Sequence, residues 1–210
     1  MLARLVQFDT TSHRSNLKLV DFVEDWLSQQ GIGFTRLPDA SGKKAALVAS
    51  IGPTNAAGIV LSGHTDTVPV DGQAWSSDPF ILRDGGDRVF GRGTCDMKGF
   101  LGVVLAALPI MKSRPLQRPI HLCLTYDEEV GCLGAGDAIA LLKGLAHPPF
   151  GAIVGEPTGM EPVVAHKGKL AMRVRVTGRE GHSSQPHQTV NALEVAAELT
   201  VFLMRCAERL

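Results

Sequence analysis

The stretch Gly58–Asp66 reads GIVLSGHTD. Its apolar run, Gly58–Ser62, is short, β-branched and set off by Gly and Pro, which reads as a buried strand. A His and an Asp follow directly as an HxD pair. Ala45–Ile51, Ile120–Tyr126 (IHLCLTY) and Ala152–Val154 repeat the pattern of a short apolar run, the last as a short buried strand. Helical patterns lie before and between them. In Leu17–Leu27, Leu19, Val20, Val23, Trp26 and Leu27 share one face, with Gly31 and Gly33 as stop signals. Gly99–Leu108 is apolar on nearly every side, which predicts a buried helix with Pro109 near its end. Gly134–Leu142 reads as another helix, and Trp75–Gly93 as a loop with a short strand around Arg88–Gly91. Strands alternating with helices predict a layered α/β fold with a mostly parallel central sheet.

The pattern changes after Glu161. Leu170–Val176 (LAMRVRV) alternates arginines with apolar residues, as a half-exposed strand does. A helix is predicted from Thr189 onward, apolar at Val190, Leu193, Ala197 and Val201. The boundary falls at Lys167–Gly168, giving a first domain over 1–167 and the start of a second over 168–210. One strand, one loop and one helix cannot bury a core of their own, so the chain reads as part of a longer protein or as leaning on another chain.

The 210 residues carry 21 basic and 21 acidic side chains, a net charge of zero. That argues against a nucleic-acid partner, whose footprint is an excess of Lys and Arg. No apolar run reaches the ~18–20 residues of a membrane helix, and no signal peptide is evident, so no membrane partner is expected. Cys95, Cys123, Cys132 and Cys206 form no CxxC pair and read as reduced, mostly buried thiols. A cytoplasmic location follows as the default expectation.

The residues suited to chemistry gather at strand ends. His64 and Asp66 follow the strand at Gly58–Ser62. Asp96 follows a Gly-rich turn (GRGTCD), Asp127, Glu128 and Glu129 follow Ile120–Tyr126, and Glu156 follows Ala152–Val154. In an open α/β sheet, ligands bind beyond the carboxyl ends of the strands. One His with several carboxylates is a hard N/O donor set, suited to Zn, Mn or Co. Carboxylates so close repel one another unless cations neutralise them, and two divalent ions roughly 3.5–4 Å apart would form a hydrolytic centre. Asp96 is the candidate bridge between them. Of Glu128 and Glu129, one would bind metal and the other activate water. Asp66 is placed to hold the His64 tautomer. An isolated HxD is commonly a loop feature and an EE pair a solvated face; their conjunction at strand ends carries the reading. Gly91–Gly93 and Gly131–Gly136 do not give a dinucleotide-binding GxGxxG, and Ser183–Ser184 lies in no GxSxG elbow. Cys95 reads as a small buried residue. His13, His121, His147 and His166 read as structural or surface residues.

SGHTDTVPV (62–70), GRGTCDMKG (91–99), YDEEVGCLGA (126–135), VGEPTGM (154–160) and GREGHSSQP (178–186) occur in this order. Together they resemble the dinuclear zinc amidohydrolases of the M20 metallopeptidase family. YDEEVGCLGA and AHKGK are closer to the branch that deacetylates N2-acetyl-L-ornithine than to the desuccinylases. The resemblance implies a zinc-peptidase-like α/β/α catalytic domain followed by an α+β lid domain, through which the full-length protein would form a homodimer. It implies that His64, Asp96 and Glu156 hold one metal and that Asp96 and Glu129 hold the other. It gives Glu128 the role of general base, has Asp66 orient His64, and makes the Asp96–Met97 peptide cis. His182 would reach the partner subunit's active site to stabilise the oxyanion. The implied cofactors are two Zn ions, with Co or Mn as alternatives, and the implied substrate is a small N-acylated amino acid. The family's lid is longer, and its last His ligand lies in a segment that returns after the lid; no His after Glu156 stands in that context here. The alternatives are another N-acyl amino acid or a dipeptide as substrate, or a non-catalytic fragment lacking the second metal site.

Overall fold

The computed structural model describes residues 1–168 and 170–209. Its contacts divide the chain between Pro162 and Val163 into two compact units. The first begins with helices α1 (Leu2–Val6) and α2 (Leu17–Gln29) and strands β1 (Phe34–Pro38), β2 (Ala45–Ile51) and β3 (Ile59–His64). A small hairpin follows, β4 (Arg83–Asp84) with β5 (Val89–Phe90), then α3 (Lys98–Lys112), β6 (Ile120–Thr125), α4 (Gly136–Lys143) and β7 (Gly151–Val154). The five long strands form one sheet in the order β1-β2-β6-β3-β7. β3 runs parallel to both β6 and β7, while β2 is antiparallel to β1 and β6, so four of the five strands point the same way. The mixed α/β class with a mostly parallel sheet is therefore as the sequence predicts.

Side-chain alternation along the strands separates two cores. On one face, Leu47, Ala49 and Ile51 of β2 and Leu122 and Leu124 of β6 meet α2 and α3 through Leu19, Val23, Leu27, Leu101 and Leu105. On the other, Ala46, Val48, Val60 and Cys123 meet Ala138 and Leu142 of α4. Helices thus cover both faces, as a largely parallel sheet requires. The buried face of α2 is the one its spacing predicts. Asn16, ahead of that helix, uses its side chain as a surrogate strand: its amide donates to the Ala45 carbonyl (2.9 Å) and accepts from the Ala45 N–H (3.0 Å).

Several expectations need correction. β3 runs on through Gly63 and His64, because His64 still pairs with Thr125. The helix predicted to be buried all round exposes Val103 and Ile110, and it continues past Pro109 to Lys112. The strand predicted to be buried at Ala152–Val154 is an exposed edge; Ile153 is 50 % exposed, since among the described residues β7 pairs only with β3. α1 and β1 have no counterpart in the sequence reading.

In the second unit, the described residues of Leu170–Val176 form no strand, contrary to the alternation read there. A strand is defined by a pairing neighbour, and among the described residues the unit's one bridge joins Arg179 to Val190. Helix α5 (Ala192–Ala207) does form, with Asn191 capping it by accepting from the Leu193 N–H (3.0 Å).

Two glycines permit close approaches that position later residues. A Cβ on Gly63 would come within 2.7 Å of the Leu101 side chain and 2.9 Å of the Met97 side chain, so both would have to shift to admit one. A Cβ on Gly155 would lie 2.0 Å from the Phe100 ring. Gly155→Ala is expected to displace the segment carrying Glu156, which a drop in metal affinity without global unfolding would show. Leu105→Ala, at a fully buried position, is expected to cost about 2–5 kcal/mol of stability in urea unfolding.

Candidate metal centre

Each site residue is delivered by the end of a strand or the turn beside it. His64 is the last residue of β3, Glu128 and Glu129 lie just beyond β6, and Glu156 lies just beyond β7. Asp96 sits in the turn leading into α3, where the Lys98 N–H bonds the Gly93 carbonyl (2.8 Å) and Gly93 takes a φ of +78°. The Asp96–Met97 peptide is cis, as the resemblance implies.

His64 is buried at the centre. Its Nδ1 lies 3.0 Å from the main-chain carbonyl of Asp66 and 3.4 Å from the Asp66 carboxylate. A carbonyl can only accept, so Nδ1 carries a proton and Nε2 faces the other acids. Nε2 lies 2.9 Å from Asp96, 3.7 Å from Glu156 and 3.9 Å from Glu128. Two sets of possible ligand atoms each fall within 4.8 Å: His64, Asp96 and Glu156, and His64, Glu128 and Glu129. The first is the triad implied for one ion. Glu129 is thus grouped with Glu128 and His64, and it also feels the charge of Asp96.

The electrostatics are those of an acid cluster around one imidazole. Burial works against a charged His64, but the Asp66 carboxylate, with Glu156 and Asp96 behind it, overrides that and raises the imidazole to about 9. Burial also raises Glu129 and Glu156; Asp96 adds to both shifts and His64 opposes them. Asp66 goes the other way. Burial would raise it, but hydrogen bonds from His64, Ser12 and the Glu128 amide hold it below the usual carboxylate range.

Asp66 does more than face His64. Its carboxylate accepts from the Ser12 hydroxyl (2.7 Å) and from the main-chain N–H groups of Glu128 (3.1 Å) and Glu129 (3.3 Å). One buried group therefore ties the imidazole to the loop that carries both glutamates. Lys98 is fully buried below the site and donates to the Phe8 carbonyl (2.7 Å). Burial lowers its ammonium to about 8, opposed by Asp9 and Asp66. Sequence reasoning did not single out Ser12, Lys44 or Lys98, and it placed Asp127 at the strand end without giving it a role. The one available signal was the polar run Thr10–Ser12, whose main chain pairs with Thr67.

His182 belongs to the second unit. The Ser184 N–H donates to its Nδ1 (3.2 Å), which places the neutral ring's proton on Nε2. His13, His147 and His166 are exposed, and buried His121 bonds Ser50, so none of the four joins either ligand set. The cysteines are free, but Cys95 and Cys132 are exposed, which corrects the expectation of mostly buried thiols. Both lie in turns outside the strands, whereas Cys123, inside β6, is buried.

No described helix is long and apolar enough to cross a membrane. The profile of Peptidase family M20/M25/M40 matches residues 60–209. The acetylornithine deacetylase of Proteus mirabilis (strain HI4320) is 38% identical over 204 residues, covering 96% of this chain and 51% of that protein. The acetylornithine deacetylase of Pasteurella multocida (strain Pm70) is 38% identical over 94% of this chain and 51% of its own length. The chain thus spans about half the length of these relatives. Among solved structures, a Staphylococcus aureus tripeptidase superposes with a TM-score of 0.64 at 22% identity, over 94% of this chain and 53% of that one. Human carnosine dipeptidase 1 gives 0.62 at 20% identity, over 73% of this chain and 36% of that one. At those identities the likeness is one of fold. The chain belongs to the M20/M25/M40 peptidase family.

Proposed function

We propose that the full-length protein is a metal-dependent amide hydrolase that converts N2-acetyl-L-ornithine to ornithine and acetate. The observation that carries this reading is the convergence of Asp96, Glu128 and Glu156 on Nε2 of His64, with the glutamate loop held by Asp66. The named function of the 38% identical relatives supports the choice of substrate.

The donor set fits divalent metal. It offers one imidazole nitrogen with carboxylates in two overlapping groups, and the raised His64, Glu129 and Glu156 mark a concentration of negative charge that a cation would relieve. His64, Asp96 and Glu156 would hold one ion, and Asp96 with Glu129 a second, Zn by preference with Co or Mn as alternatives. Bound ions would supply Lewis acidity to the amide carbonyl and to a water molecule. The chain's own residues do the rest. Glu128, whose side chain is 40 % exposed, can meet water and substrate. It takes a proton from the attacking water and returns it to the leaving amine nitrogen. Asp66 keeps Nε2 of His64 turned to the site. His182, with its proton on Nε2, is suited to donate to the developing oxyanion, a role that the resemblance assigns across a homodimer formed through the second domain. The free thiols fit a cytoplasmic setting.

Glu128→Gln in the full-length protein is expected to lower kcat by about 10²–10⁴-fold while bound metal, measured by mass spectrometry, stays unchanged. Substantial activity in that variant would remove Glu128 from the role of base. Comparing N2-acetylornithine with other N-acetyl amino acids and with dipeptides tests the substrate. Metal affinity should also depend on pH. The His64 proton must leave before Nε2 can ligate, and it is held up to about 9. Affinity should therefore climb about tenfold per unit between pH 6.5 and 8.5 and level off above 9. Competition with a chromophoric chelator measures this, and a flat profile would place the ion elsewhere.

A further inference from the structure

Lys44 immediately precedes β2, on the far side of the sheet's central strand from the HxD turn. Its ammonium donates to the Asp127 carboxylate and to the main-chain carbonyl of Ser12. Both partners of this ion pair are largely buried, with side-chain exposures of 16% and 13%. Among the described residues, Lys44 is the cation within ion-pair reach of Asp127.

The two ends of this contact lead to the same place. Ser12 donates its hydroxyl to Asp66, and Asp66 accepts the N–H groups of Glu128 and Glu129. Asp127 precedes those glutamates and has a φ of +56°, in the left-handed region. Few residues other than Gly, Asn and Asp adopt that region, and one held there persists where surrounding contacts hold it. The turn also has a geometric result. Consecutive side chains on a strand point to opposite faces, yet Glu128 and Glu129 both bring a carboxylate within 4.8 Å of a His64 ring nitrogen. The chain must leave the strand before them: β6 ends at Thr125, and Asp127 supplies the left-handed residue that reorients the chain.

We propose that Lys44 is a positioning residue, whose ion pair with Asp127 holds the left-handed turn that aims Glu128 and Glu129 into the metal centre. The activity arm of its test rests on the hydrolase reading above; the structural arm does not.

The test compares Lys44→Met, Lys44→Arg and Asp127→Asn in the full-length protein. Asparagine tolerates the left-handed turn, so that variant removes charge and leaves the local conformation available. The first readout is amide hydrogen exchange at Glu128 and Glu129 against Leu47 and Leu124 in the sheet. The second is steady-state hydrolysis of N2-acetylornithine. Lys44→Met and Asp127→Asn are expected to speed exchange at the two glutamates with the sheet amides unchanged. They should lower kcat about 10–100-fold, the scale seen when a ligand's supporting partner is lost, with KM little altered. Lys44→Arg should restore most of both. Unchanged exchange at Glu128 and Glu129 would overturn the proposal, as would faster exchange spread evenly over β2 and β6, which marks plain destabilisation. If the unaltered protein hydrolyses no N-acyl amino acid, the hydrolase reading fails, and the exchange comparison still decides the role of Lys44. Should Lys44→Met not fold, Asp127→Asn and Lys44→Arg carry the same comparison.

Discussion

The buried carboxylate of Asp66 is the contact on which the site depends. It lies beside a buried imidazole and accepts from Ser12 and from two consecutive main-chain amides. Burying a charge is costly unless it is hydrogen-bonded and paired. Here the partners come from three separate parts of the chain: the loop after α1, the end of β3 and the loop after β6. The carboxylate therefore joins segments that the sheet alone would leave adjacent but unlinked. Because its partners favour the ionised form, the group keeps its accepting capacity through the neutral pH range.

The layered fold was legible because its central elements are apolar in the period their structure demands. Ala45–Ile51 matches the sequence reading residue for residue, and α2 buries the face its spacing predicts. The failures share a cause. β1 (FTRLP) has no clean alternation because it is an edge strand, and α1 is too short to show a helical period. At Leu170–Val176 alternation is present, but pairing with a neighbour makes a strand, and a local pattern carries no information about partners. β7 is as apolar as a buried strand and is nevertheless exposed.

The site divides in the same way. His64, Asp96, Glu128, Glu129 and Glu156 were visible because acidic and imidazole groups beside apolar strands are incongruous, and topology brings strand ends together. Of their supports, only Asp66 was visible. Lys44 meets a residue 83 positions away, and Lys98 meets one 90 positions away. A lysine that reads as surface charge in one dimension is a buried cation in three. Cys95 failed in the opposite sense, since its small size suggested burial but its turn leaves it exposed.

The strand order also bears on assembly. β6 lies between β2 and β3, so the strand carrying His64 has no hydrogen-bonded path to the rest of the sheet until residues 120–125 arrive. Contacts of such long sequence separation form late, because loop-closure entropy is lost before they are made. During synthesis from the N-terminus, α2 and the β1–β2 hairpin can organise early. The imidazole and its acids meet only once β6 has inserted, and Glu156 joins after β7 docks on the outer edge. Until then β2 and β3 each present an unsatisfied edge of the kind that templates aggregation. The arrangement that gathers ligands from distant strand ends thus makes the centre one of the last parts of the first unit to form.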